Sequence, residues 1–173
     1  VFTRPYHVFN AAQVSGYTPP TTPLLSEEER STQAEQFFAH LRLTLIHGAP
    51  IACYVPARDA ICMPYFAQFT SAEAYYGTLG HECCHRTGHP SRLSRDLTGR
   101  FGSAAYAVEE LVAELGAAFL CSTLGLAAEP RADHAQYIAT WLHVLKTDAR
   151  AVWTAASKAQ AAVDWIHAQQ PAS

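Results

Sequence analysis

The sequence predicts an α+β domain: a small antiparallel sheet, an active-site helix beside it, and further helices towards the C-terminus. Three observations lead there. At 173 residues the chain is long enough for one domain with a real core and short for two, so residues 1–173 are read as a single unit. Apolar residues alternate with period two between Leu43 and Tyr65, and with helical spacing from about Thr70 onward.

Taken in order, Tyr6–Asn10 reads as a short strand, and Thr18–Pro23 as a Pro/Thr-rich connector outside regular structure. Ser26 followed by Glu29 makes a capping box, and Phe37, Phe38 and Leu41 supply the apolar stripe of the helix it starts. Three strand-like runs follow at Leu43–Ile46, Ile51–Val55 and Ala60–Met63. They are punctuated by turn signals at His47–Pro50 and Pro56–Asp59 and read as an antiparallel meander. Thr70 and Glu73 cap a helix over Ala72–Arg86, which Gly88 and Pro90 end. A polar loop, Ser91–Gly102, carries three arginines. A strongly periodic helix then runs from about Ala104 to Leu124 and closes at Gly125, and two more helices fall near Asp133–Lys146 and Asp148–Ala168.

Charge and composition remove several classes of function. A formal net charge of -3 leaves no basic footprint for nucleic acid or an anionic membrane. The 49% hydrophobic content never runs unbroken for the roughly twenty residues a spanning helix needs, so a soluble protein is expected. Five cysteines without framework spacing, two of them adjacent, fit reduced thiols and a cytoplasmic location. No secretory leader opens the chain, and Val1 in first place points to a processed product or a piece of a longer protein.

The chemistry concentrates in Gly80-His81-Glu82-Cys83-Cys84-His85. On a helix, His81 and His85 lie at i and i+4, with both imidazoles on one face. Catalytic zinc takes three protein ligands and leaves the fourth position to water, whose pKa the metal lowers towards ~7. Glu82, beside the first ligand, is placed to accept that water's proton and pass it to a leaving amine. A zinc-dependent hydrolase follows.

The third ligand has three candidates. Glu110 and Glu114 share a face of an otherwise apolar helix, where acids are costly unless paired or metal-bound. One of them can ligate while the other orients a histidine. His89 continues the i+4 series, but Gly88 and Pro90 should end the helix before it. Glu110 is the preferred ligand, with Glu114 and His89 as alternatives. A third histidine in the longer metzincin spacing is missing, since Ser91 stands there. Cys83 and Cys84 point about 100° apart and read as small buried hydrophobes. His134 and Tyr137, in a polar-aromatic cluster, are candidates for stabilising an oxyanion.

The run from Tyr75 through the His81–His85 motif to Leu93, together with Gly99-Arg100-Phe101-Gly102, Tyr106 and Glu109–Leu115, resembles the C-terminal metallopeptidase domain of ArdC-type antirestriction proteins. That domain is also found in TraC-like plasmid primases and polyvalent phage proteins. The likeness extends to Tyr6–Asn10 and Tyr137–Leu142, and so covers nearly the whole chain. It implies a zincin-like fold, Zn2+ as cofactor, a protein or peptide substrate, and an acidic third ligand within Glu109–Glu114. It further implies a role against host defence on behalf of a mobile element. In that family an N-terminal domain binds single-stranded DNA, and it lies outside this sequence. Cys83 and Cys84 replace the usual apolar residues of the motif and leave the ligands intact. Extended substrate is expected at the edge of the Ala60–Met63 strand. Two other functions compete with peptide hydrolysis. One is a catalytically silent, zinc-stabilised module that protects DNA by occlusion, and the other is a toxin-like effector released by processing.

Overall fold

Three short strands, β1 (Thr44–His47), β2 (Cys53–Val55) and β3 (Ala60–Met63), form a sheet in the order β1-β3-β2. The structure is a computed structural model and describes residues 14–16, 27–100, 103–127, 141–142, 145–146, 148 and 150–171. The expected strands at Tyr6–Asn10, the connector at 18–23 and the cap at Ser26 lie outside them.

The strand positions agree with the sequence, but the meander does not. β2 and β3 are antiparallel, pairing Cys53 with Cys62 and Val55 with Ala60, whereas β1 runs parallel to β3, pairing Thr44 with Ala60 and His47 with Met63. The sheet is therefore mixed, with β3 in the centre. Burial accounts for this placement. Ala60, Ile61 and Met63 are all buried, as expected of a strand covered on both faces, while β1 and β2 are largely exposed or half-buried. The tight connection after β2 is a 3₁₀ turn at Pro56–Arg58. It ends on Asp59, whose φ of 45° is a left-handed conformation that Asp tolerates better than most residues.

Four helices with defined bounds accompany the sheet among the described residues, α1 (Glu27–His40), α2 (Ala72–Thr87), α3 (Ala104–Thr123) and α4 (Ala151–His167), and α2 packs on β2 and β3. The expected stripe, Phe37 and Phe38 in α1 and Leu41 just after it, is buried, joined by Ala34, and Phe38 stacks on Tyr76 of α2 with ring centroids 5.8 Å apart. The cap of α2 falls one residue later than the sequence suggests: Ser71, not Thr70, accepts the N–H of Ala74 at 3.0 Å. Ser103 caps α3 in the same way through Tyr106. Gly125 closes α3 in the left-handed region at φ 66°, and Leu126 N–H reaches back to Cys121 O at 2.9 Å. Asp148 does not enter α4. Its carboxylate and carbonyl accept from Arg150 and Ala151, forming a turn before the helix. Residues 141–142 and 145–146 are helical, and Trp141 Nε1 donates to Ala107 O on α3 at 3.0 Å. The rest of the helix expected at Asp133–Lys146 lies outside the described residues.

Helices α2 and α3 pack closely, and one glycine permits it. A Cβ at Gly116 would stand 2.4 Å from Cys84 Sγ, far inside contact distance. The alanines at 155, 159 and 162 bring α4 onto the other side of α3. All five cysteines are free thiols. Among the described residues no helix is long and apolar enough to cross a membrane.

Candidate metal centre

Helix α2 carries His81, Glu82 and His85, all three largely buried, and its two imidazoles meet the acids of α3. Buried imidazoles need partners, and the Gly116 approach brings α3's acids up against them. His81 Nε2 and His85 Nε2 face each other at 3.1 Å. Glu110, itself 5% exposed, sets one carboxylate oxygen 3.5 Å from His81 Nε2 and the other 3.4 Å from His85 Nε2. Three ligand atoms thus converge from two helices, within 4.8 Å of one another.

The outer nitrogens of the two rings also meet carboxylates. His81 Nδ1 stands 3.1 Å from Glu114 Oε1, and His85 Nδ1 is hydrogen-bonded to Glu109 Oε1 at 3.2 Å. When each Nδ1 carries the proton, both Nε2 atoms present lone pairs to the same point as the Glu110 carboxylate. Such a donor set repels itself unless a cation or a proton sits among its members. The electrostatic surroundings of the groups express the same demand. Burial disfavours a charged His85, yet its hydrogen bonds to Glu109 and Glu110 and the charges of Glu82 and Glu110 outweigh this and raise its pKa to about 10. Burial likewise opposes ionisation of Glu110, but the two histidines overcome it and hold the carboxyl well below its ordinary value. Two imidazoles and a carboxylate suit zinc and other borderline divalent ions better than magnesium or calcium, so the residues present fit the metal that the motif implies.

A cleft of about 340 Å³ opens onto this group. Glu82 lines it beside His81, His85 and Glu110, and Cys53 and Tyr54 of β2, Leu97 and Tyr106 form its other walls. The β2 side is braced from behind by Arg92, whose side chain is 8% exposed. Its Nε donates to Arg86 O at 2.6 Å, Nη1 to Asp59 Oδ2 at 3.0 Å and Nη2 to Tyr54 Oη at 3.2 Å. Nη2 also pairs with Asp59 Oδ1. A larger cavity of about 590 Å³, between α1, β1 and the first half of α2, contains no comparable cluster of ligand groups among the described residues.

The structure therefore brings His81, Glu82, His85, Glu110 and Glu114 together. His89 is not part of the group: it lies beyond the end of α2, where its Nδ1 pairs with Ser91 Oγ at 2.8 Å. Helix α2 ends at Thr87, and glycine suits the next position because a Cβ at Gly88 would come within 2.8 Å of Leu97 Cδ2 and 3.0 Å of His85 O. Gly88 itself has φ -72°, so left-handed freedom is not what places it. His134 and Tyr137 lie outside the described residues. Arg95 carries no signal that the sequence reading used, while Glu109 and Tyr106 entered it only through the family resemblance, without the places they take here beside His85 and in the cleft wall. Tyr106 sits one turn before Glu110 on α3, a helical spacing that could have pointed to it.

Known proteins resemble the chain in sequence and in fold. A relative from Sinorhizobium fredii, the uncharacterized protein y4eC, is 55% identical over 170 residues, covering 98% of this chain and 55% of its own length. The DNA primase TraC of Escherichia coli is 40% identical over 164 residues, which are 92% of this chain and 15% of the primase. Among solved structures, the antirestriction protein ArdC from the R388 plasmid matches in a Mn(II)-bound form with a TM-score of 0.73 and 38% identity. The match covers 93% of this chain and 60% of ArdC. Its metal-free form matches with a TM-score of 0.71. The chain thus spans about half the length of y4eC and a small part of the primase. The family model described as zincin-like metallopeptidase matches residues 32–158, and with a fold and relatives that agree, the chain belongs to the zincin-like metallopeptidases.

Proposed function

We propose that this domain is a zinc-dependent metallopeptidase that hydrolyses peptide bonds in a protein substrate, in the service of antirestriction by a mobile element. The observation that carries the reading is the buried convergence of His81, His85 and Glu110 with Glu82 in the same cleft. His81, His85 and Glu110 are the ligands, and Glu114 holds the His81 ring from behind. A zinc ion held there would supply Lewis acidity, lowering the pKa of a bound water and polarising the scissile carbonyl. Glu82 takes the proton of the attacking water and returns it to the leaving amine. His134 and Tyr137 remain candidates for donating to the carbonyl oxygen as negative charge builds on it.

Substrate would add to the sheet at β2 rather than at the Ala60–Met63 strand. β3 is paired on both sides, whereas the outer edge of β2 has no strand partner among the described residues and its side chains line the cleft. The antirestriction role rests on the likeness to ArdC, and any engagement of single-stranded DNA is assigned to a region other than this domain, which has a net charge of -3.

The test is cleavage of a peptide library by protein reconstituted with Zn(II), set against the same protein under chelator. Metal-dependent cuts at defined positions are expected. Library peptides left intact by fully metal-loaded protein would favour a zinc-stabilised module that protects DNA by occlusion.

A further inference from the structure

We infer that Arg95 and Glu109 form a positioning device for His85, through which the loop after α2 governs how tightly the site holds its metal ion. The inference rests on the metal-site reading above and not on peptide hydrolysis.

Arg95 is buried, with its side chain 7% exposed, and its guanidinium reaches three groups around His85 at once. Nε donates to Glu109 Oε2 at 3.0 Å and Nη2 to Glu109 Oε1 at 2.8 Å, a two-point grip on the carboxylate. Nη2 also donates to Cys84 O at 2.7 Å, the carbonyl immediately before His85. Nη1 donates to Thr87 Oγ1 at 2.8 Å, and that hydroxyl donates in turn to Cys84 O at 2.6 Å. One side chain therefore ties the backbone of α2 at His85 to a carboxylate of α3. Glu109 Oε1, the oxygen held by Arg95, is also the acceptor for His85 Nδ1. This fixes the ring's plane and keeps the Nδ1 proton outward, leaving Nε2 to face Glu110 and His81.

The loop is built to deliver that grip. Arg95 N–H donates to Gly88 O at 3.0 Å and Leu93 N–H to Thr87 O at 2.9 Å, folding the chain back over the end of α2. A Cβ at Gly88 would approach Arg95 Nη2 to 3.2 Å. The surroundings of the two histidines thus differ: His81 Nδ1 stands 3.1 Å from Glu114 Oε1 without the geometry of a hydrogen bond, whereas His85 Nδ1 is hydrogen-bonded to a carboxylate that a loop arginine grips.

The sign of the effect separates positioning from charge. A cation near a metal site repels the metal, so if Arg95 acted by charge alone its removal would tighten binding. If it positions His85, removal weakens binding although no ligand is lost. Zn(II) affinity is measured by chelator competition on the full chain for wild type, Arg95→Lys, Arg95→Ala, Glu109→Gln and Glu109→Ala. Thermal unfolding of each chelated protein and the visible spectrum of its Co(II) form are recorded alongside.

Glu109→Ala is expected to weaken binding ~10–100-fold, in the range for a group that orients a ligand. Arg95→Lys keeps the charge but cannot span Cys84 O and both oxygens of Glu109, and is expected to weaken binding about tenfold and to alter the Co(II) spectrum. Glu109→Gln can still offer one oxygen to His85 and Arg95, and should stay within a few-fold of wild type. Wild-type affinity in Arg95→Lys, tighter binding in Arg95→Ala, or Glu109→Gln as weak as Glu109→Ala would overturn the inference. So would losses that merely track the stability of the chelated proteins. Absence of affinity in the wild type would instead overturn the metal site itself.

Discussion

Glu82→Gln is expected to keep its fold and its metal and to lose peptide hydrolysis by ~10²-fold or more. Glu82 is 3% exposed at the floor of the cleft and follows the first metal-binding histidine directly. It is absent from the ligand group, which comprises His81, His85 and Glu110, so the substitution leaves the donors untouched. The amide preserves shape and removes the proton acceptor. Metal content, unfolding temperature and turnover, measured on one preparation, separate the effects. Turnover at the wild-type rate would take Glu82 out of the mechanism. An inactive variant that still protects DNA from restriction in cells would point to occlusion.

Glu110→Ala is expected to lose more metal affinity than any other single acid substitution in the site, by well over the ~10–100-fold typical of an orienting partner. Glu110 is the carboxylate whose two oxygens approach both inner nitrogens, at 3.5 Å and 3.4 Å. Glu114 approaches the outer nitrogen of His81, so Glu114→Ala should be intermediate. His89 is bonded to Ser91 away from the group, and His89→Ala should bind like the wild type. Chelator-competition titrations rank the three. If Glu114→Ala lost the metal while Glu110→Ala kept it, the two acids would have exchanged roles.

How far the site was legible in the sequence follows from how local each feature is. His81, Glu82 and His85 lie on one helical turn, so their spacing alone places them together. Glu110 and Glu114 needed one further step, that acids on an apolar helix face must have partners. Glu109 was hidden by its position: it is about 100° around α3 from Glu110 and meets His85 only because the two helices cross at Gly116. Arg95 could not be read at all, since its role depends on how a loop without periodicity folds back over Gly88. The sheet order was missed although its signal was present. The unbroken apolar run Ala60-Ile61-Cys62-Met63 marks a central strand, and reading it as one arm of a meander placed the free edge on β3 instead of β2.

The central claim is that His81, His85 and Glu110 together hold one metal ion. Elemental analysis combined with Zn(II) titration of the full chain tests it most directly, comparing the wild type with a His81→Ala, His85→Ala double variant. The account predicts about one zinc per wild-type chain and none in the double variant. Fully folded wild-type protein that takes up no transition metal, or a double variant that still binds one equivalent, would contradict it.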